Sequence, residues 1–209
     1  RFQVSAFSWD QDATGRMQLT PTQDVVFFPM MLTLGPGEVR RIRVGSTLPS
    51  GAIEKTFRLF VEELPPAAAA RSGAEGTQIR VLTKMGIPIF VQPSQPKPEA
   101  SVEIRGVSGD HLRFVVRNTG NAHFLLQDLR IRGTAATGQV VLDHKSEGWY
   151  VLAGGEREYE QRLSVDECAD LKSVAIDAET DRGPLATRLD LLQPACEPSA
   201  VSTASRAPE

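Results

Sequence analysis

Chemistry in this chain would have to come from a small set of side chains. The three histidines, His111, His123 and His144, lie in separate segments with no HxH or HExxH spacing, so no metal site is expected. The two cysteines, Cys168 and Cys196, belong to no CxxC pair and to no nucleophile motif. They read either as two buried thiols or as one disulfide. Glu62 and Glu63 form a carboxylate pair, but adjacent strand residues point to opposite faces and cannot address one substrate. There is no G-x-S-x-G, no P-loop and no G-x-G-x-x-G after a strand. No catalytic constellation and no cofactor site is expected, and the chain does not read as an enzyme.

Two cations stand out instead. Arg58 sits inside the apolar stretch TFRLFV, where an unpaired buried charge is costly. It either snorkels to the surface with its stem covering neighbours or forms a cationic site for a carboxylate supplied from elsewhere. Lys84 lies on the next apolar segment and could join it if the two strands pair antiparallel.

The elements that would position these cations are β-strands. Residues 56–64 form a short, mostly apolar strand stopped by Pro65-Pro66. A loop, Ala67–Gly76, holds four alanines and an Arg-Ser-Gly turn with nothing large to bury, and is expected to be mobile. The segment 77–91 then places Ile79, Val81, Thr83 and Met85 on one face against Gln78, Arg80, Leu82 and Lys84 on the other. Gly86 and Pro88 within it point to a bulge and an edge position. An exposed edge strand is ordinarily blunted, because it invites pairing with another chain.

The rest of the chain follows the same pattern. Short apolar or alternating runs recur every 10–20 residues with Gly/Pro punctuation, as in an all-β sandwich. Pro29 inside the run 25–34 marks an edge or a sheet crossing. Residues 94–98 (SQPKP) read as a stiff hinge. It separates an N-terminal domain, 1–93, from a second β-sandwich, 99–196. The tail, 197–209, lacks apolar weight and is expected to be disordered.

Composition bounds the function. Across 209 residues, 41% are hydrophobic and 23% charged, and the net charge is −3. That is an ordinary globular balance, with no clustered cations for nucleic acid and no run long enough to span a membrane. The chain opens directly in strand-like alternation (RFQVSAFSW), so strands upstream of Arg1 are expected.

The order of motifs carries a resemblance. An alternating strand ending in FSW is followed by LTP…FFPMMLTLGPGEVRRIRVG, then FRLFVEELPP, a loop, and a strand closing in IPIFVQP. This resembles the periplasmic pilus-assembly chaperones of the chaperone–usher pathway, in the branch serving archaic or spore-coat-like pili. It covers residues 1–93; over 100–196 only the size and β character agree. The resemblance implies two immunoglobulin-like β-sandwich domains, the first lacking its two opening strands (about thirty residues) in this chain. It implies a periplasmic, non-enzymatic chaperone that binds pilus subunits by donor-strand complementation and delivers them to an outer-membrane usher. Strand donation from chaperone to pilin is an established case of β-strand addition. Carried over, Ile79, Val81, Thr83 and Met85 would fill the subunit groove. The family anchors the subunit's C-terminal carboxylate on cations in its inter-domain cleft. One of those cations comes from a first strand not present here. The other aligns with Pro88 or near Lys84, so Arg58, with Lys84 second, is expected to take that role. The competing expectation is a structural or adhesive tandem β-sandwich whose edge strand pairs only within its own fold.

Overall fold

The computed structural model describes residues 1–65, 81–191 and 196. Within that range the chain is almost wholly β, as two compact units. One comprises Arg1–Gln11 and Arg16–Pro96, the other Asp12–Gly15 and Lys97–Glu209.

The first unit is built on β1 (Phe2–Gln11), which pairs with β2 (Met17–Pro21) on one side and β6 (Lys55–Glu63) on the other. β7 (Lys84–Val91) follows β6, so the sheet runs β2-β1-β6-β7, with β4 (Met31–Leu32) also on β1. A second, two-stranded sheet pairs β3 (Val25–Phe28) with β5 (Arg43–Ser46). The apolar run 25–34 is therefore divided between two sheets. Pro29 marks the crossing, since a proline has no N–H to continue a ladder. β1 is covered on both faces: Val4 and Trp9, of opposite parity, are both buried. Val4, Leu59 and Val61 form the core on one face, with Phe27 and Ile42 from the β3–β5 side packed against them.

The second unit is a sandwich of two antiparallel sheets. One has the order β11 (Val140–Glu147), β10 (Phe124–Thr134), β14 (Ser173–Thr180), β15 (Gly183–Asp190), with β12 (Tyr150–Val151) also on β10. The other is β13 (Glu156–Arg162), β9 (His111–Asn118), β8 (Ala100–Ser108). Their inner faces meet in a core containing Leu112, Phe114, Phe124, Ile131 and Ile176, each contributing roughly 1.5–3 kcal/mol on burial.

One helical turn interrupts the β pattern: α1 (Val165–Asp170). Ser164 caps it by accepting from the Glu167 N–H, while the Glu167 carboxylate accepts from the Ser164 N–H. The S-x-x-E signature was legible in the sequence, but six residues are too few for periodicity to reveal a helix.

Cys168, in α1, is bonded to Cys196. This decides between the two cysteine readings in favour of the disulfide. The expected mobile loop and the tail, 197–209, lie outside the described residues, as does Ile79.

Candidate functional site

The edge of the first unit's larger sheet is β7. Its register against β6 sets which side chains share a face: Met85 lies opposite Val61, Ile87 opposite Leu59, and Ile89 opposite Phe57. Because Leu59 and Val61 belong to the core, Met85, Ile87 and Ile89 are on the core-facing side. Only Ile89 packs against that core. Met85 is 48% and Ile87 45% exposed. Just before the strand, Val81 is 84% exposed. Among the described residues no strand pairs with the outer edge of β7. A terminal strand of this kind also tolerates Pro88, which has no N–H to give.

The strand is shorter than the expected 77–91. It begins at Lys84; Val81–Thr83 carry no strand, and 77–80 lie outside the described residues. The reason lies in the partner. β6 ends at Glu63, whose N–H is the last to face β7; the Leu64 N–H points to the opposite edge, to the Arg1 carbonyl at 2.8 Å. Pro65 then has no donor at all. The last ties across the pair hold Thr83: its carbonyl accepts from the Glu63 N–H at 2.8 Å, and its N–H donates to the Glu63 carboxylate at 3.2 Å. Thr83 is thus placed at the strand entrance rather than within it. The sequence reading stopped its apolar stripe at Met85 and missed Ile87. The signal was present, because the period of two continues through Gly86 and Pro88.

The opposite face of the same strand pair carries the cations. Arg58 lies across from Pro88 and beside Phe7 of β1. It is only 4% exposed, which rules out the snorkelling alternative. Its guanidinium sits over the Trp9 ring, 4.1 Å from the centroid, and its Nη1 donates to the Gly86 carbonyl at 3.3 Å. Phe7 meets Phe60 edge-on and Trp9 meets Phe90, with centroids 5.8 and 5.9 Å apart. The aromatic surroundings explain how a cation is held in an apolar strand: ring quadrupoles and a carbonyl dipole replace water. Gly86 has a specific role here, since a Cβ at that position would come within 3.0 Å of the Phe60 ring.

Lys84 shares the face of Arg58 but is not beside it. It lies opposite Glu62, forms an ion pair with it at 3.1 Å, and places its ammonium 4.9 Å over the Phe60 ring. The two cations are four ladder positions apart, about 13 Å at the rise of a strand, with Phe60 between them. They form two separate cationic points rather than one fork. Glu63 falls on the other face, as adjacent strand residues must.

The histidines remain apart in β9, in the turn before β10 and in β11. Among the described residues no group of His, Cys, Asp and Glu is placed to hold a metal.

Solved structures share this fold. A chain of the CsuC–CsuE chaperone–tip adhesion subunit pre-assembly complex, from archaic chaperone–usher Csu pili of Acinetobacter baumannii, superposes with a TM-score of 0.58. The match has 17% identity and covers 90% of this chain and 83% of that one. The class 5 fimbriae chaperone CfaA superposes with a TM-score of 0.52 and 14% identity, over 91% of this chain and 86% of that one. At such identities the likeness is one of fold: two β-sandwich domains in sequence. No curated protein matches the chain. Residues 2–97 match the family described as pili and flagellar-assembly chaperone, PapD N-terminal domain. The match contains β1 through β7, the whole of the edge-strand site, and identifies residues 2–97 as a domain of the pili and flagellar-assembly chaperone type.

Proposed function

We propose that this chaperone captures pilus subunits in the periplasm by lending them the edge of β7, and passes them to an outer-membrane usher. The observation that carries the reading is the half-exposed pair Met85 and Ile87 on a terminal strand, preceded by the exposed Val81. An incomplete subunit sandwich presents a groove of apolar side chains and unpaired backbone groups. A terminal strand can satisfy both: its free N–H and C=O groups extend the ladder, and its alternate side chains fill the groove. Each apolar side chain so buried would contribute roughly 1.5–3 kcal/mol before ordering costs. Val81, Thr83 and Met85, with Ile79 before them, are the proposed groove-filling residues, and Ile87 extends the set.

Arg58 is the proposed anchor for the subunit's terminal carboxylate, with Lys84 as a second cationic point. Its support is its place on the edge-strand pair, opposite Pro88, and a planar guanidinium's capacity to bind a carboxylate bidentately. The disulfide between Cys168 and Cys196 fits an oxidising compartment such as the periplasm.

Co-expression with a pilus subunit lacking its final strand tests the reading. The chain is expected to yield a one-to-one complex, and the Val81→Asp/Met85→Asp variant to yield none while staying folded. Undiminished complex from that variant would remove strand donation through these side chains.

A further inference from the structure

The second unit contains a cleft that the chaperone reading does not use. It opens on the side of the sandwich where the two sheets end, between β11 and β13, and has a volume of about 250 Å³. Five polar residues project into it from positions that register makes interior. In β13, Arg157, Tyr159 and Gln161 lie opposite Val116, Phe114 and Leu112. In β11, His144 and Ser146 lie opposite Ile131 and Leu129. All five partners are buried apolar residues of the core. A sandwich built only for stability would place apolar side chains at such positions.

Two of these polar groups, on Arg157 and Tyr159, are short of partners. Among the described residues Arg157 forms no ion pair; its guanidinium lies over the Tyr159 ring, 5.1 Å from the centroid. The Tyr159 ring stacks parallel on Phe114 at 4.9 Å. Its hydroxyl, closed off from solvent, has no hydrogen-bond partner among the described residues. Burial holds that phenol above its usual pKa, with the Arg157 charge pulling the other way. The floor is apolar, from Phe114 and Ile131.

We propose that this cleft binds a small apolar monocarboxylate, its charge on the Arg157 guanidinium and its apolar part on Phe114 and Ile131. A guanidinium without a counter-ion, next to hydroxyl donors, recognises a carboxylate by charge-assisted hydrogen bonds. Two acidic residues at the rim limit the ligand to a single negative charge. Glu160 is already engaged by His111 and Arg113, at 3.1 and 3.4 Å. Glu147 lies opposite Asp128 on the outer face. Neither neutralises Arg157, and both would repel a phosphate dianion. The volume suits a group of amino-acid size, below the roughly 300–1,000 Å³ of clefts for larger ligands.

The test uses the isotope-labelled full chain titrated with N-acetyl-L-leucine and with N-acetyl-L-leucinamide, which share a shape and differ in charge. The acid is expected to shift backbone signals of β11 and β13, and the amide to leave them in place. Arg157→Gln is expected to weaken acid binding about tenfold. Tyr159→Phe, which keeps the stack on Phe114, is expected to weaken it less. A third titration, with a short peptide ending in leucine, identifies the source. Tighter binding than the single residue points to a polypeptide end, and equal binding to a free acid. Equal responses to acid and amide would overturn the proposal, as would unchanged acid binding in the Arg157→Gln variant. Silence of β11 and β13 at every soluble concentration would do the same, leaving the polar lining as a guard on two strand edges.

Discussion

The Arg58 guanidinium rests on the face of Trp9, 4.1 Å from the ring centroid, and both side chains are buried, at 4% and 2% exposure. The cation is tolerated in the middle of β6 because β1 brings an indole beneath it and β7 brings a carbonyl to it. Trp9→Ala removes the ring beneath the charge and opens a cavity beside it. A loss of about 3–5 kcal/mol in unfolding free energy is expected, as for other large aromatic truncations, read by urea denaturation. Arg58→Met, which keeps much of the volume without the charge, is expected to change stability by less than Trp9→Ala, because a buried charge is replaceable by apolar packing. The same variant should lose subunit binding. A fully stable Trp9→Ala protein would show that the stack carries no weight.

Ile87 shares the half-exposed face of β7 with Met85 and extends the proposed groove-filling set. Ile87→Asp is expected to cost only about 1 kcal/mol of stability, since the side chain is half exposed. Complex formation with a subunit should nevertheless fall as far as in the Met85→Asp variant. Pull-down yield set against thermal midpoint separates the two effects. A large stability loss with normal yield would mean that Ile87 serves its own core.

The disulfide joins α1 to a position 28 residues on, enclosing the β14–β15 hairpin. Closing a loop of that length is worth about 3–4 kcal/mol through the entropy of the unfolded chain. Reduction, or the Cys168→Ser/Cys196→Ser variant, should lower the stability of the second unit by that order. The β6–β7 edge should keep its hydrogen-exchange protection. Equal loss in both units would indicate that they unfold together.

Acid should loosen the outer face of β10 and β11. The Arg130 guanidinium, bonded to Asp143 through Nε at 2.8 Å and Nη2 at 2.5 Å, holds the Asp143 carboxyl below its ordinary value of 3.8. Asp110 is lowered in the same way, first by its hydrogen bond with Arg162 and, against the opposing effect of burial, by the charge of His111. A carboxyl lowered on folding adds stability above its unfolded value, and that contribution is lost as pH falls through the lowered one. Both groups lie at the surface in contact with solvent, so the effect should be small and should fade with added salt. Asp143→Asn should flatten the acid limb of a stability–pH curve measured at low salt. An unchanged limb would show the pair to be without thermodynamic weight.

Much of this was legible before any coordinates. The alternation of β1, the apolar run of β6 and the Gly/Pro punctuation specify strands, because the side-chain period of two is written residue by residue. The order of turns from FSW to IPIFVQP carried the family, and the oddity of an arginine within TFRLFV marked Arg58. What could not be read was set by partners distant in sequence. The start of β7 at Lys84 depends on where β6 runs out, at Glu63, with Pro65 having no N–H to carry the ladder on.

By itself, the sequence determined that this protein is all-β and that the segment closing in IPIFVQP is an edge with apolar residues to offer. Local periodicity and proline chemistry suffice for that. Only the tertiary structure decided which of those residues keep an open side, that Arg58 is buried on Trp9, and that Arg58 and Lys84 stand apart with Phe60 between them. Register assigns each side chain its neighbours across the sheet. It is a relation between strands, so no single stretch of chain contains it.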